Sequence, residues 1–294
     1  MPTGADAPTW LVTGASGFLG SYVTRALAAR SRRVVGQSYS HPFSNGDVRA
    51  DLAQPGAGVD LVREVRPSVV VHCMALTNVD LCEREPVLAK RINADLCGEL
   101  AEACDESGAT LVMISTDQLW RDPPAFVGEE MPPDPIGVYG ITKAEGEVQS
   151  RKARRHLILR TNFFGRGLAW RASLSDMILS SLREGRGFNG FADVFFTPMA
   201  VGLFAEWIVD AVDAGLEGTF HLAGRDRLSK FDFAVAVARA AGLDPAAVKP
   251  IRIADAGLIA RRPNEMSLGC GKISRALGRP VPDLDQSLKS ALAS

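Results

Sequence analysis

Trp10-Leu11-Val12-Thr13-Gly14-Ala15-Ser16-Gly17-Phe18-Leu19-Gly20 is the stretch on which the fold turns. A short apolar run stops at Gly14, and a helical pattern then continues to about Arg30. Strand, glycine turn and helix are the setting that a dinucleotide-binding fingerprint requires. The glycines let backbone N–H groups approach a pyrophosphate, which then sits at a helix amino terminus. The spacing here is Gly-x-x-Gly-x-x-Gly rather than the more familiar Gly-x-Gly-x-x-Gly.

Outward from that turn the alternation repeats. Arg33–Ser38 reads as a second strand, Val48–Leu52 as a short third ending in Asp51, and Val59–Arg66 as a helix stopped by Pro67. Ser68–Met74 is a continuous apolar run, the mark of a parallel strand covered on both faces. Leu88, Ile92, Leu96 and Leu100 recur every four residues and predict one long amphipathic helix to about Ser107. Thr110–Ile114 and His156–Arg160 read as a fifth and a sixth strand. Together these predict an α/β fold with a doubly wound parallel (Rossmann) sheet. The expected division is a dinucleotide-binding domain over 1–165 and a smaller substrate-binding lobe over 166–294, part of which returns to the sheet. Ligands in such sheets bind at the carboxyl ends of the strands. Gly14, Asp51, Ala75–Asp80, Ser115–Asp117 and Thr161–Gly165 all fall at such ends.

The chemistry centres on Val138-Tyr139-Gly140-Ile141-Thr142-Lys143. On a helix, a tyrosine and a lysine four residues apart leave the same face. A nearby ammonium favours the phenolate and lowers the phenol's pKa from about 10. A phenol tuned in that way can exchange a proton with a carbonyl oxygen near neutral pH.

Composition bounds the rest. The 294 residues are 46% apolar and 23% charged with a net charge of −1, which fits a globular protein and gives no electrostatic case for nucleic acid or an anionic membrane. No apolar run reaches the ~20 residues of a membrane span, and Met1–Thr9 shows no signal-peptide pattern. Five cysteines without a Cys-x-x-Cys pair are expected as reduced thiols in a cytoplasmic protein, and the four histidines have no metal-ligand spacing. No carboxylate ends the second strand; Gln37, Ser38, Tyr39, Ser40 and His41 stand there instead. Small polar residues and a histidine favour NADPH, with NADH as the alternative, since no arginine directly follows the strand.

With these motifs placed, the chain resembles the extended short-chain dehydrogenase/reductases, and more closely the dTDP-4-dehydrorhamnose reductase family. The matching segments include Gly14–Gly20, Ala75-Leu76-Thr77-Asn78-Val79-Asp80, Asn93, Ser115-Thr116-Asp117-Gln118-Leu119-Trp120, Pro135–Lys143 and Arg160-Thr161-Asn162-Phe163. The resemblance implies a catalytic triad of Thr116, Tyr139 and Lys143. It implies cofactor contacts at Gly14, Gly17, Phe18, Leu19, Gly20, Ser38, Asp51, Leu52, Ala75, Thr77, Tyr139 and Lys143. Substrate contacts would fall at Val79, Thr116, Tyr139 and Phe163. The implied activity is NAD(P)H-dependent reduction of the 4-keto group of a nucleotide-linked deoxysugar, as in dTDP-rhamnose biosynthesis; the family often forms homodimers, and the spacing of the carboxylates and histidines assigns no metal site. Gln118 stands where the sugar-nucleotide dehydratases carry an acid, and a neutral amide cannot do that acid's work. The alternatives are an epimerase, a reductase of another ketone, or a non-catalytic NADP-binding subunit like the β subunit of methionine adenosyltransferase.

Overall fold

In the computed structural model, which describes residues 8–41 and 47–293, the run before Gly14 is strand β1 (Thr9–Thr13) and the segment after the turn is helix α1 (Phe18–Ala29). The alternation continues through β2 (Arg33–Ser38), β3 (Val48–Arg49), α2 (Ala57–Val65), β4 (Val69–His72), α3 (Val79–Arg84), α4 (Pro86–Lys90), α5 (Leu96–Ser107), β5 (Thr110–Ile114), α6 (Val138–Ser150) and β6 (His156–Arg160). After these come β7 (Phe163–Phe164), α7 (Leu174–Arg183), β8 (Phe188–Phe191), β9 (Phe195–Phe196), β10 (Met199–Ala200), α8 (Val201–Asp213), β11 (Gly218–His221), β12 (Leu228–Ser229), α9 (Lys230–Ala240) and β13 (Val248–Ile251). Two helices, α10 (Gly271–Ala276) and α11 (Leu284–Leu292), complete the described chain. Residues 1–7, on which most of the reading of the amino terminus rests, lie outside the described residues. Among the described residues no helix is long and apolar enough to cross a membrane.

The central sheet has seven strands in the order β11-β6-β5-β4-β1-β2-β3. The pairs β1·β2, β1·β4, β2·β3, β4·β5 and β5·β6 are all parallel. The chain winds outward from β1 to β3, then restarts on the other side of β1 at β4. The carboxyl ends of β1 and β4, in register at Thr13 and His72, therefore flank the switch point at which such sheets bind ligands. Both faces are covered, which is why β4 and β5 read as unbroken apolar runs: all nine residues of the two strands are buried.

Two compact units divide the chain. The first takes residues 1–116, 137–159 and 205–220 and holds the sheet. One of its cores joins Leu11, Val70 and Leu111 of the sheet to Leu61 and Val62 of α2 and Leu96 and Leu100 of α5. Each such side chain contributes about 1.5–3 kcal/mol on burial. The second unit takes residues 117–136, 160–204 and 221–294. It is built on aromatic packing, with Phe233 edge-on to Phe164 at 4.8 Å and to Phe196 at 5.3 Å.

The helix expected from Leu88 to Ser107 is not continuous. Between α4 and α5 the chain makes a π-helical turn, Arg91–Asp95. A strict four-residue repeat overruns the 3.6-residue α-turn, and a π-turn takes up the excess. Ile92, Leu96 and Leu100 are buried, whereas Leu88, beyond the π-turn, is 38% exposed. The third strand is also shorter than expected: it ends at Arg49, and Asp51 lies in the following turn.

Candidate active site

Gly14 holds φ at +63°, a conformation that glycine adopts without steric cost, and a Cβ there would come within 3.1 Å of the Met74 amide. Gly17 donates to the Gly14 carbonyl at 2.8 Å, and a Cβ on Gly20 would collide with that same carbonyl. Helix α1 starts at Gly17 with no side-chain cap and no acid in its first turn. Helix amino ends left in this state are anion sites. The cradle thus fits a dinucleotide pyrophosphate, with Gly14, Gly17, Phe18, Leu19 and Gly20 as its backbone.

Gln37 plays a part the sequence did not reveal. Its side-chain oxygen accepts from Gly14 N at 2.9 Å, its carbonyl accepts from Ala15 N at 2.8 Å, and its amide donates to Ala50 O at 2.7 Å. It is a buried brace between β2 and the glycine turn, so its amide is not available to a phosphate, unlike what the sequence reading allowed. Ser38, next to it, is buried, whereas Tyr39 is half exposed.

The turn after β3 is braced as well. Asp51 accepts from Ala53 N and from Gln54 Nε2, both at 3.1 Å. Arg91 donates to the carbonyls of Leu52, Ala53 and Gln54 and pairs with Glu99 at 2.9 Å.

Ala75, Leu76 and Thr77 leave the carboxyl end of β4. The π-turn residue Asn93, itself 1% exposed, clamps that loop. Its Oδ1 accepts from Leu76 N at 2.8 Å, and its Nδ2 donates to Leu76 O at 3.1 Å and to Thr142 Oγ1 at 3.2 Å. A Cβ on Gly146 would strike the Asn93 carbonyl, so α6 approaches this turn closely. Asn93→Ala is expected to cost about 1–3 kcal/mol for each Leu76 group left unpaired, read as a lower urea midpoint. Val79 begins α3, whose amino end is capped by Asn78.

Thr116 follows β5 and is buried. Tyr139 and Lys143 lie on the first two turns of α6, with exposures of 8% and 2%. The start of α6 is held by Glu83, which accepts from Val138 N at 2.9 Å. Lys143 donates from Nζ to the Ile114 carbonyl at 2.7 Å, tying α6 to the end of β5 two residues before Thr116. One turn further on, buried Glu147 accepts from Ser115 Oγ at 2.7 Å and pairs with Arg151 at 2.9 Å. Helix α6 and the Ser115–Thr116 segment are thus joined twice. Glu147→Ala, which leaves the buried Ser115 hydroxyl unpaired while half-exposed Arg151 returns to water, is expected to cost about 1–3 kcal/mol, measurable as a drop in Tm.

Burial holds the Lys143 ammonium below the usual lysine range, opposed by Cys97, Glu147 and Cys73. Burial, aided by the charge of Lys143, pushes His72 down to about 3, so its imidazole is neutral. The five thiols are free, and burial raises the pKa of Cys73, Cys104 and Cys270 to about 12.

Within the second unit, Phe163 stacks on Phe204 at 5.4 Å, so one ring face is already engaged. Asp117 accepts from Asn162 at 2.6 Å. The Lys230 ammonium lies 3.3 Å from the Phe196 ring centroid; burial pushes it down to about 8, opposed by the charge of Asp117.

Three comparisons bear on this arrangement. A family model described as the RmlD substrate binding domain matches residues 9–294. The probable low-salt glycan biosynthesis reductase Agl14 of Haloferax volcanii is 31% identical, covering 96% of this chain and 97% of its own. The β subunit of methionine adenosyltransferase 2 from Pongo abelii is 28% identical, over 92% of this chain and 84% of its own. Among solved structures, the dTDP-4-dehydrorhamnose reductase of Bacillus anthracis in complex with NADP superposes with a TM-score of 0.86. It is 26% identical and covers 98% of this chain and 99% of that one.

Proposed function

The chain belongs to the RmlD substrate-binding domain family, and on that premise we propose that it reduces the 4-keto group of a nucleotide-activated deoxysugar with NADPH. The observation that carries the reading is Lys143. A buried ammonium one turn from Tyr139, bonded to the end of the strand that leads to Thr116, has little structural reason to be there without an acid to tune.

When bound, the dinucleotide supplies the hydride. The chain does the rest. As the carbonyl carbon is reduced, negative charge grows on its oxygen, and Tyr139 gives that oxygen its phenolic proton. Lys143 stabilises the phenolate left behind. Thr116 donates a hydrogen bond to the same oxygen and orients it. Asp51, Leu52, Ala75 and Thr77 border the cofactor, and Val79 and Phe163 contact the sugar. The enzyme works as a cytoplasmic homodimer without nucleic acid.

The test is NADPH oxidation, followed by absorbance, with dTDP-4-dehydrorhamnose. One equivalent of NADPH consumed per sugar is the expected result. An epimerase would return the cofactor unchanged, and no oxidation despite tight NADPH binding would sink this substrate. The likeness to the methionine adenosyltransferase β subunit supports a second reading, a non-catalytic NADP-binding partner subunit. Co-purification with a synthetase and no turnover would favour it; the intact Thr116, Tyr139 and Lys143 weigh against it.

A further inference from the structure

The strand register supplies a residue that the order of the chain conceals. Strands β2 and β3 pair in parallel, with Gln37 opposite Val48 and Ser38 opposite Arg49. An arginine therefore stands beside the end of β2, although none follows that strand in sequence. Its guanidinium lies over the ring of Tyr39, 6.0 Å from the centroid, and both side chains are exposed. Through Gln37, this corner is tied to Gly14 and Ala15 of the phosphate cradle. The end of β2 is where a dinucleotide fold reads the adenosine ribose: an acid there takes the 2′-hydroxyl, and an arginine takes the 2′-phosphate.

Both kinds of group are present. The carboxylate of Asp47 lies against Gly36, where a Cβ would meet its Oδ1 and the Ala15 side chain. Asp47 is engaged by another group. Arg49 forms no ion pair among the described residues; its contact is with the Tyr39 ring, whereas Arg30, Arg32, Arg63 and Arg91 each hold a carboxylate. A guanidinium held over an aromatic ring still has N–H groups to donate, and its fork matches a phosphate.

We infer that Arg49, seated on Tyr39 and opposite Ser38, reads the 2′-phosphate of the cofactor and makes this chain select NADPH over NADH. The inference rests on the reductase reading only for the cofactor itself, and it can be tested without any sugar. The probes are 2′,5′-ADP and 5′-AMP, titrated calorimetrically into the wild-type chain, Arg49→Ala, Arg49→Lys and Asp47→Asn. The wild type is expected to bind 2′,5′-ADP about 10- to 100-fold tighter than 5′-AMP, the span of a charge-assisted pair. Arg49→Ala should erase that preference while holding 5′-AMP affinity within about twofold, and Arg49→Lys should restore part of it. Asp47→Asn should leave the preference in place. Circular dichroism and Tm should not change in Arg49→Ala, because the side chain is exposed. Equal affinities in the wild type, or a preference that survives Arg49→Ala, would overturn the inference and leave the reductase reading standing. Failure of both nucleotides to bind would overturn the dinucleotide reading and this inference with it.

Discussion

Tyr139→Phe is expected to lower kcat for keto-sugar reduction by about 10²- to 10⁴-fold while leaving NADPH affinity nearly unchanged. The substitution removes one hydroxyl from a ring that is 92% shielded, so the packing with Cys82, Ala89, Leu76, Val79 and Val138 stays in place. What disappears is the proton for the carbonyl oxygen. A loss confined to kcat points to an interaction made in the transition state. Measuring kcat and KM beside a direct NADPH titration separates the outcomes. A fall in NADPH affinity as large as the fall in kcat would mean that the Tyr139 hydroxyl acts through its cofactor contact and not as the proton donor. Retained turnover would move the acid to another group. Lys143→Met should compound the loss, because it also frees the Ile114 carbonyl that holds α6 to β5.

Acid should destabilise the protein through His72. Its side chain is buried, with Nδ1 bonded to Thr13 Oγ1 at 2.8 Å and no partner for Nε2 among the described residues. Burial, together with the charge of Lys143, pushes its pKa down to about 3 in the folded state, against the usual imidazole value of 6.5. The group is a base with a depressed folded pKa. Above pH 6.5 both states are neutral, and the stability is complete. Between 6.5 and about 3 the unfolded chain takes up a proton that the folded chain refuses, so stability falls by about 1.4 kcal/mol per pH unit. Urea midpoints measured from pH 7.5 to 4 should trace that slope. His72→Gln, which keeps an acceptor for Thr13, should flatten it. An unchanged slope in His72→Gln would assign the acid sensitivity to other groups.

The two residue patterns that carried the sequence reading are local, and both are present in the structure as expected. Gly14 through Gly20 is a turn into a helix for reasons that are mostly local: Gly17 and Gly20 stand against the Gly14 carbonyl, and Gly14 itself holds a positive φ, although the group its Cβ would meet, Met74, is distant in the chain. Tyr139 and Lys143 share a face because four residues make about one helical turn. The groups that position them were not readable. Asn93 works on Leu76 and Thr142, and Glu147 on Ser115, across separations of 17, 49 and 32 residues. In the sequence Asn93 is marked only as a match to the family, with no role attached, and Glu147 is a glutamate on a helix with nothing to mark it as buried. Asn93 was also hidden by a repeat that read as one α-helix, whereas the π-turn is what presents its amide to the Leu76 backbone.

Gln37 and Arg49 show the same limit from opposite sides. By sequence alone Gln37 was a candidate for phosphate, and the brace it forms with Gly14 and Ala50 removes it from that role. By sequence alone Arg49 had no role, because it comes eleven positions after Ser38 rather than beside it. What the sequence determined by itself is the succession of strands and helices, the glycine turn and the shared helix face of Tyr139 and Lys143, since hydrophobic period, turn chemistry and helical spacing all act within a few residues. Which strand lies against which, and hence which arginine stands beside the end of β2 and which amide holds the Leu76 loop, was decided only by the tertiary structure. Pairing register is set by the packing of the whole sheet, and no short stretch of chain contains that information.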